Sequence, residues 1–297
     1  MPSLSSPAPQ DFLEQLTPDL ALHYQGILRL QQQTRFQQLD VIDTPTLGTL
    51  FRLDGSIMTT QAEEWIYHEN LVHPAALALP CLRSALIIGG GDGGSARQLL
   101  RYPHLQQLVI CELDAAVVDM ARRLLEPVHQ GALNDPRVQL VIGDGADYVR
   151  HCQGQFDLIV LDLTDPVGPA APLYEAPCLQ HYARLLGDHG ILSLHLTSPQ
   201  WQPRSYVRLL QALHPVFACV RPALIPVTSY GGLWGLAFAS QRSDPASLSA
   251  EQADLQLALR DISDLQWYNG DTHQALFALP NFVRQLARAA NHQTDAP

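Results

Sequence analysis

The stretch Ala-Leu-Ile-Ile-Gly-Gly-Gly-Asp-Gly-Gly, residues 85–94, is the part of the sequence that decides the fold. Four apolar residues are followed at once by six residues, five of which are glycine. An amphipathic segment, residues 95–101, comes next. A buried strand, a glycine turn and a helix in this order indicate an α/β fold, because glycine lets the backbone approach a ligand closely.

The same pattern recurs along the chain. Further apolar runs occupy residues 108–111, 138–142, 158–161 and 191–194, and residues 115–125 have helical spacing. Apolar strands that alternate with helices predict a mostly parallel sheet with helices on both faces. We therefore predict one α/β domain over residues 81–297.

Residues 26–60 have a different pattern, of short alternating strands. Residues 49–53 and 56–59 flank Asp54-Gly55, a pair typical of two-residue hairpin turns. This pattern predicts a small antiparallel N-terminal β domain over residues 1–80. We expect no ordered structure at the two ends, Met1 to Gln10 and Asn291 to Pro297.

Composition excludes several classes of protein. All 18 basic residues are arginine, so lysine Schiff-base chemistry and a P-loop are excluded. No apolar stretch reaches the ~18 residues of a membrane span, and residues 1–10 do not resemble a secretory signal. A net charge of −11 disfavours nucleic acid as a partner. The five cysteines form no C-x-x-C pair, so we expect small buried hydrophobes, no metal site and a cytoplasmic location.

Acidic residues follow the predicted strands at their carboxyl ends, which is where open α/β sheets bind ligands. They are Asp92, Glu112, Asp144, Asp162 and Asp165. Glu112 lies where a carboxylate commonly accepts from two ribose hydroxyls, so the sequence favours a nucleoside ligand. Asp92 inside the glycine turn disfavours a pyrophosphate or carboxylate and favours a ligand with a nearby cation, such as decarboxylated S-adenosylmethionine. The alternative for Asp92 is a turn or helix-cap residue. Asp144 can accept from an adenine amino group, and its alternative role is to cap the helix that begins at Ala146.

The segment from Asp162 to Pro169 places two carboxylates at the end of the fourth apolar run. An aliphatic amine has a pKa of about 10.4, so about one molecule in a thousand or fewer is neutral at pH 7. A neighbouring carboxylate can position the ammonium and accept its proton during nucleophilic attack. A structural role for both aspartates in the loop is the alternative.

Several motifs in the same order resemble the spermidine synthase family of polyamine aminopropyltransferases. They are residues 35–37, 53–55, 64–69, 87–94, 112–114, 135–137, 143–145 and 162–169, with 267–269 and 273–280 near the end. The resemblance implies a Rossmann-like, methyltransferase-type sheet. It implies transfer of the aminopropyl group of decarboxylated S-adenosylmethionine, a co-substrate, to an amine such as putrescine, with methylthioadenosine released. It also implies a homodimer or homotetramer.

The resemblance assigns roles to individual residues. Asp162 matches the proton acceptor, Asp165 the carboxylate that holds the acceptor amine, and Asp92 the carboxylate that holds the donor ammonium. Glu112 matches the ribose ligand, and Asp144 with Gly145 the adenine contacts. The other residues that match positions facing the site are Gln37, Tyr67, His68 and Tyr230, with the glycine loop Gly89, Gly90, Gly91, Gly93 and Gly94.

Three departures from the family pattern leave the acceptor open. His195-Leu196-Thr197 stands where the family has Gln-x-Glu, Leu163 stands where serine is common, and the loop before Tyr230 is one residue longer. Agmatine, cadaverine and spermidine remain alternatives to putrescine. An S-adenosylmethionine-dependent amine N-methyltransferase, a polyamine-binding protein without turnover and an NAD-dependent oxidoreductase are the alternative functions.

Overall fold

The computed structural model describes residues 8–292 of the chain. None of the helices in that range combines the length and the apolar character that a bilayer crossing needs. The predicted absence of order at the two ends falls mostly outside the described residues, at 1–7 and 293–297. It was wrong where it overlaps them, because Gln10 begins a strand and Asn291 belongs to a helix.

A small antiparallel sheet opens the described part of the chain. Its five strands run in chain order: β1 (Gln10–Thr17), β2 (Leu20–Gln33), β3 (Gln38–Thr44), β4 (Gly48–Leu53) and β5 (Ser56–Thr60). The predicted hairpin is confirmed, since Asp54 and Gly55 join β4 to β5 with φ angles of 48° and 89°. The prediction missed β1 and the first residues of β2, because the many polar residues there interrupt the alternation of apolar and polar side chains that is typical of a strand.

A larger sheet of seven strands follows within residues 84–240, in the order β11-β12-β10-β9-β6-β7-β8. The strands are β6 (Ser84–Gly89), β7 (Gln107–Glu112), β8 (Val138–Ile142), β9 (Leu158–Asp162), β10 (Ile191–Thr197), β11 (Cys219–Val227) and β12 (Gly232–Ser240). All five predicted apolar runs form β6 to β10, and these strands are parallel. The antiparallel strands β11 and β12, which extend one edge, were not predicted.

Ten α-helices, counted over the described residues, accompany the two sheets. They are α1 (Glu64–Ala78), α2 (Gly94–Leu100), α3 (Ala115–Leu124), α4 (Glu126–His129), α5 (Gly145–His151), α6 (Ala176–Leu186), α7 (Pro203–Leu213), α8 (Ala250–Leu259), α9 (Gly270–Leu276) and α10 (Asn281–His292). Both faces of the large sheet are covered. Along β6, Ile87 packs into one buried apolar cluster and Leu86 and Ile88 into another, as alternating residues of a strand do.

Helix α1 connects the small sheet to the large one and is almost entirely buried. It packs against α2 and β10. The carboxylate of Glu69 on α1 accepts backbone N–H bonds from Gln266, Trp267 and Tyr268, all at 2.9 Å. These bonds fix a distant C-terminal segment against α1. The boundary between residues 80 and 81 stays a prediction.

The adjacent strands β6 and β9 mark the point where the chain changes the side of the sheet to which it adds strands. From β6 the chain adds β7 and β8 on one side, and it then returns to add β9 and β10 on the other. Residues Gly89 and Asp162 end these two strands and pair with each other. A crevice opens beyond the carboxyl ends of strands at such a switch point, which places the candidate site there.

Candidate active site

A cavity of about 330 Å³ lies at this switch point, between the two sheets. The large sheet contributes the glycine loop and the ends of β7, β9 and β10, and the small sheet contributes residues of β1, β4 and β5. The predicted site residues that line it are Gln37, Tyr67, Gly89, Gly90, Gly91, Asp92, Glu112, Gly145, Asp162, Asp165 and Tyr230. The remaining four, His68, Gly93, Gly94 and Asp144, are not among the residues that form its wall.

The glycines of the loop serve two purposes. At Gly89, where φ is 79°, a Cβ would lie 2.2 Å from the carbonyl oxygen of Asp162. The bare backbone lets the Gly90 N–H donate to that oxygen at 2.8 Å, which joins the ends of β6 and β9. At Gly94 a Cβ would lie 2.1 Å from the ring of His68. The front of the loop therefore forms the cavity wall, and its rear makes room for a buried histidine.

That histidine lies among three carboxylates. The Nδ1 of His68 is 2.8 Å from Glu64, whose other oxygen accepts from Arg97 at 2.7 Å. The Nε2 of His68 is 3.6 Å from Asp92 Oδ2 and 4.0 Å from Asp162 Oδ2. Burial opposes a charge on the ring, but the negative charge of Asp92, the hydrogen bond to Glu64 and the charge of Asp162 together raise the pKa of His68 to about 9. His68 is thus an imidazolium at neutral pH.

Asp92 is held from two sides. Its Oδ2 accepts from the Thr59 hydroxyl of β5 at 2.6 Å, and its Oδ1 accepts from the Gly94 N–H at 3.0 Å. The second contact is the turn bond that the structural alternative allowed, since Gly93 is the N-cap residue of α2 and the helix has no side-chain cap. The residue also lines the cavity, and a contact of its carboxylate with a ligand stays a prediction.

Asp162 presents an unpaired oxygen in this cluster. Its Oδ2 is buried and has no hydrogen-bond partner among residues 8–292. Burial raises the pKa of Asp162 to about 6, with the nearby charge of Asp92 acting in the same direction and that of His68 against it. A carboxylate with this pKa is ionised at neutral pH and has a greater affinity for a proton than an exposed aspartate, as a general base requires.

His68, Asp92 and Asp162 also offer ligand atoms that lie within 4.8 Å of one another, a spacing that would suit a metal ion. The Nε2 of His68 would have to lose its proton before it could bind a metal. With its pKa raised to about 9, the ring supplies a positive charge at that point instead. A protonated ring offers no lone pair to a metal ion at neutral pH.

The part of the cavity at the end of β7 contains Glu112. Its carboxylate accepts from the backbone N–H groups of Gly91 at 3.2 Å and Asp114 at 2.9 Å. Burial raises its pKa to about 7, against these two hydrogen bonds. Gln37, in the loop between β2 and β3, donates to Asp114 at 3.5 Å. These contacts fix Glu112 at the cavity wall.

Asp144 makes the capping contact that the sequence analysis gave as its alternative role. It is exposed, and its Oδ1 accepts from the N–H groups of Ala146 at 2.7 Å and Asp147 at 3.2 Å, so it caps α5. Its neighbour Gly145 is buried at the cavity. The capping alternative thus describes Asp144 in the empty protein, and an adenine contact stays a prediction.

The opposite end of the cavity is built largely from residues that the sequence did not single out. Asp165 is present as predicted, and its Oδ2 accepts from Gln202 Nε2 at 2.9 Å. The unpredicted residues of the wall here are Glu14, Trp201, Gln202 and Trp234. Burial raises the pKa of Glu14 to about 7. No local motif marks these residues, because they belong to β1, to β12 and to the segment that leads into α7.

The three departures from the family pattern fall at this same end. Leu163 and His195 line the cavity. Thr197 is buried beside it with a φ of 68°, a left-handed conformation uncommon for a β-branched residue, and does not form part of the wall. Tyr230 lines the cavity, and its ring packs edge-on against Tyr67, 5.9 Å between centroids.

The cysteines take no part in this chemistry. All five are free thiols in the described chain, and Cys111 and Cys178 are buried. Cys111 touches the cavity, but burial raises its pKa to about 12, so it remains a neutral thiol.

Comparison with known proteins places the chain among enzymes of one kind. A model of the spermine/spermidine synthase domain matches residues 64–249. The polyamine aminopropyltransferase of Nitrosomonas europaea is 44% identical over 286 residues, which cover 96% of this chain and 88% of that protein. The polyamine aminopropyltransferase 2 of Hyperthermus butylicus is 39% identical, with 88% and 87% covered.

Solved structures agree. A spermidine synthase in complex with the transition state analogue AdoDATO superposes with a TM-score of 0.88 at 32% identity, covering 94% of this chain and 95% of that one. The spermidine synthase of Thermotoga maritima gives a TM-score of 0.85 at 31% identity, with 94% of both chains covered. The predicted fold class, a small antiparallel sheet followed by a Rossmann-like one, is confirmed by this likeness and by the sheet order.

Proposed function

Because the chain belongs to the spermine/spermidine synthase family, we propose that it is a polyamine aminopropyltransferase. It transfers the aminopropyl group of decarboxylated S-adenosylmethionine to an amine, with putrescine as the preferred acceptor and methylthioadenosine as the second product. One observation carries the proposal: two carboxylates, that of buried Asp92 and that of half-buried Asp162, face one cavity beside the glycine loop. Two carboxylates in one cavity suit a reaction in which the ammonium of the donor and the amine of the acceptor bind side by side.

The donor is recognised by charge. In the proposal, Asp92 accepts from the terminal ammonium of the aminopropyl chain. An ordinary S-adenosylmethionine would bring its carboxylate near the same group, where like charges in a buried site repel. Asp92 therefore selects the decarboxylated donor and disfavours methyl transfer.

The nucleoside part of the donor lies against the glycine loop. Glu112 accepts from the ribose hydroxyls, and Gly145 allows the adenine to approach the backbone. Asp144 supplies an adenine contact through the oxygen that the helix cap leaves unused. Gln37 closes this end from the loop between β2 and β3, where its contact with Asp114 holds it.

The acceptor amine attacks the carbon beside the sulfonium. Asp162 accepts a proton from the attacking amine, Asp165 holds the amine in line, and Tyr67 and Tyr230 form the apolar wall around its methylenes. The leaving group is a neutral thioether that needs no proton. Orientation and one base therefore suffice for the reaction.

The proposal is tested by incubating the purified protein with decarboxylated S-adenosylmethionine and, separately, putrescine, agmatine, cadaverine or spermidine. We expect methylthioadenosine together with an amine heavier by one aminopropyl unit, detected by mass spectrometry, with putrescine converted fastest. A different best amine would correct the acceptor and leave the reaction intact. A methylated amine formed from ordinary S-adenosylmethionine, with no aminopropyl product, would overturn the proposal.

A further inference from the structure

The carboxylate of Glu64 connects the charged cluster of the site to helix α2. Glu64 is buried on α1, and both of its oxygens are engaged. One oxygen lies 2.8 Å from Nδ1 of His68, four residues further along the helix, and the other accepts from Arg97 of α2 at 2.7 Å. Glu64 does not line the cavity, so any effect it has on a ligand passes through His68.

The ring of His68 is held in one orientation. A Cβ at Gly94 would lie 2.1 Å from the ring, so the start of α2 closes one side of it. Tyr67 packs edge-on against it, with the centroids 5.4 Å apart. The two nitrogens therefore face different groups. Nδ1 faces Glu64, whereas Nε2 faces Asp92 at 3.6 Å and Asp162 at 4.0 Å.

Glu64 determines which of these nitrogens can gain and lose a proton. An ionised carboxylate only accepts hydrogen bonds, so Nδ1 has to donate to Glu64 in the charged ring and in the neutral ring. The proton that leaves when the imidazolium becomes neutral is then the one on Nε2. Nε2 is the nitrogen that lies beside Asp92 and Asp162, where a bound cation would act on it.

The charged groups that face the ring come from three elements packed around it. They are Glu64 from α1, Asp92 from the glycine loop and Asp162 from β9, while Arg97 of α2 pairs with Glu64. The charge of Asp92, the hydrogen bond to Glu64 and the charge of Asp162 overcome burial and raise the pKa of His68 to about 9. A cation bound at the two aspartates would repel the proton on Nε2.

We propose that Glu64 is a positioning residue for the donor: by accepting from Nδ1 it confines the exchangeable proton of His68 to Nε2, so that the ring is charged in the empty site and loses this proton when the donor cation binds. The part that concerns the donor rests on the proposed function. The part that concerns the ring does not, because it is a property of the empty protein. Glu64 thereby couples donor binding to the release of one proton.

The first test uses the unchanged protein without a ligand. Heteronuclear NMR of the histidine ring nitrogens distinguishes protonated from unprotonated nitrogen. One ring should titrate near pH 9 and be missing from the spectrum of His68→Gln. Four other buried histidines have lowered pKa values and do not interfere, namely His73, His129, His195 and His273. At pH 10 the neutral ring of His68 should keep its proton on Nδ1, and a proton on Nε2 instead would overturn the proposal.

The second test uses Glu64→Gln. Arg97 only donates, so the amide oxygen has to face Arg97 and the amide N–H then donates to Nδ1 of His68. The ring becomes neutral with its proton on Nε2. Titration with decarboxylated S-adenosylmethionine at pH 8, in two buffers of different ionisation enthalpy, should release close to no proton, against about one in the unchanged protein. Glu14 and Glu112, with pKa values raised to about 7, are already largely ionised at pH 8. An undiminished release in Glu64→Gln would overturn the proposal.

Glu69→Gln is the matched control. Glu69 is a second buried glutamate of α1, but its carboxylate accepts from three backbone N–H groups and does not line the cavity. This change should lower the free energy of unfolding and leave the proton release at about one. An equal loss of the release in Glu69→Gln would show that any disturbance of α1 abolishes it, and the role of Glu64 would be refuted.

Failure of the proposed function would look different, because the unchanged protein would then not bind decarboxylated S-adenosylmethionine at all. In that case the spectra of the empty protein decide the role of Glu64. Nδ1 of His68 that is protonated at pH 10 in the unchanged protein and unprotonated in Glu64→Gln supports that role. The same protonation state in both proteins refutes it.

Discussion

The Nε2 of His68 lies 3.6 Å from the Oδ2 of Asp92, in a region of the protein that is almost closed to solvent. This imidazolium lies next to the carboxylates of Asp92 and Asp162 and balances part of their negative charge. We propose that the ammonium of the donor takes over that role when it binds. The charge balance around His68, Asp92 and Asp162 then depends on whether the donor is bound.

Replacement of Asp162 by asparagine should reduce kcat by about a hundred- to ten-thousandfold, because it removes the base that acts in the chemical step. Donor affinity should change much less. Single-turnover kinetics and the donor Kd measure the two effects separately. Asp188→Asn, at an exposed ion pair with Arg242, is the matched control and should be neutral. Loss of donor binding with turnover intact would show that Asp162 has another role.

Replacement of Asp92 by asparagine should weaken decarboxylated S-adenosylmethionine by about tenfold or more, since a hydrogen bond to a charged group is removed. Ordinary S-adenosylmethionine should bind as well as before or better, because the repulsion of its carboxylate disappears. Titration with both ligands gives the ratio of affinities. An unchanged ratio would contradict the assignment of Asp92 to the donor ammonium.

Donor binding at pH 8 should release close to one proton per site. The pKa of His68 is about 9 in the empty protein, so the ring is charged at pH 8, and a bound ammonium between the same carboxylates lowers that pKa by repulsion. Calorimetry in two buffers of different ionisation enthalpy counts the protons. His68→Gln should abolish the release, whereas proton uptake by the unchanged protein would refute the exchange of charges.

The pH profile of kcat/KM should show an acid limb near pH 6. Burial raises the pKa of Asp162 to about 6, and below that pH its carboxylate is protonated and cannot act as the base. Above neutral pH the rate should rise further as more acceptor amine loses its proton. Initial rates from pH 5 to 9 test both limbs. A rate that falls between pH 7 and 9 would show that amine deprotonation is not limiting.

The free energy of unfolding of the empty protein should decrease as the pH rises from 6.5 to 9. His68 has a folded pKa of about 9, raised from 6.5, so its contribution is complete below about pH 6.5 and is lost as the pH passes 9. Buried neutral His73 has a pKa lowered to about 3 and affects only more acidic conditions. Urea unfolding at both pH values measures the decrease, and it should be smaller in His68→Gln. Equal stability at pH 6.5 and 9 would contradict the raised pKa.

Much of the large sheet was predictable from the sequence because its strands are buried on both faces. Such strands appear as uninterrupted apolar runs, and each run ends where the chain leaves the sheet. The glycine loop, Glu112 and Asp162 were therefore found together at the carboxyl edge before any distance was known. Strand β1 escaped prediction because it is half exposed, and its single cavity carboxylate, Glu14, lies among polar residues that resemble a loop.

By itself the sequence determined the five parallel strands β6 to β10 and their order along the chain, the glycine turn and the chemical type of the side chains at the strand ends. These follow from local periodicity and from the backbone freedom of glycine. Only the tertiary structure decided that the Nε2 of His68 faces both Asp92 and Asp162, that Asp144 caps a helix, and that His195 and Gln202 line one cavity. Such positions depend on the packing of elements far apart in the chain. The protonation states depend on it too, because burial and neighbouring charge exist only once the chain has folded.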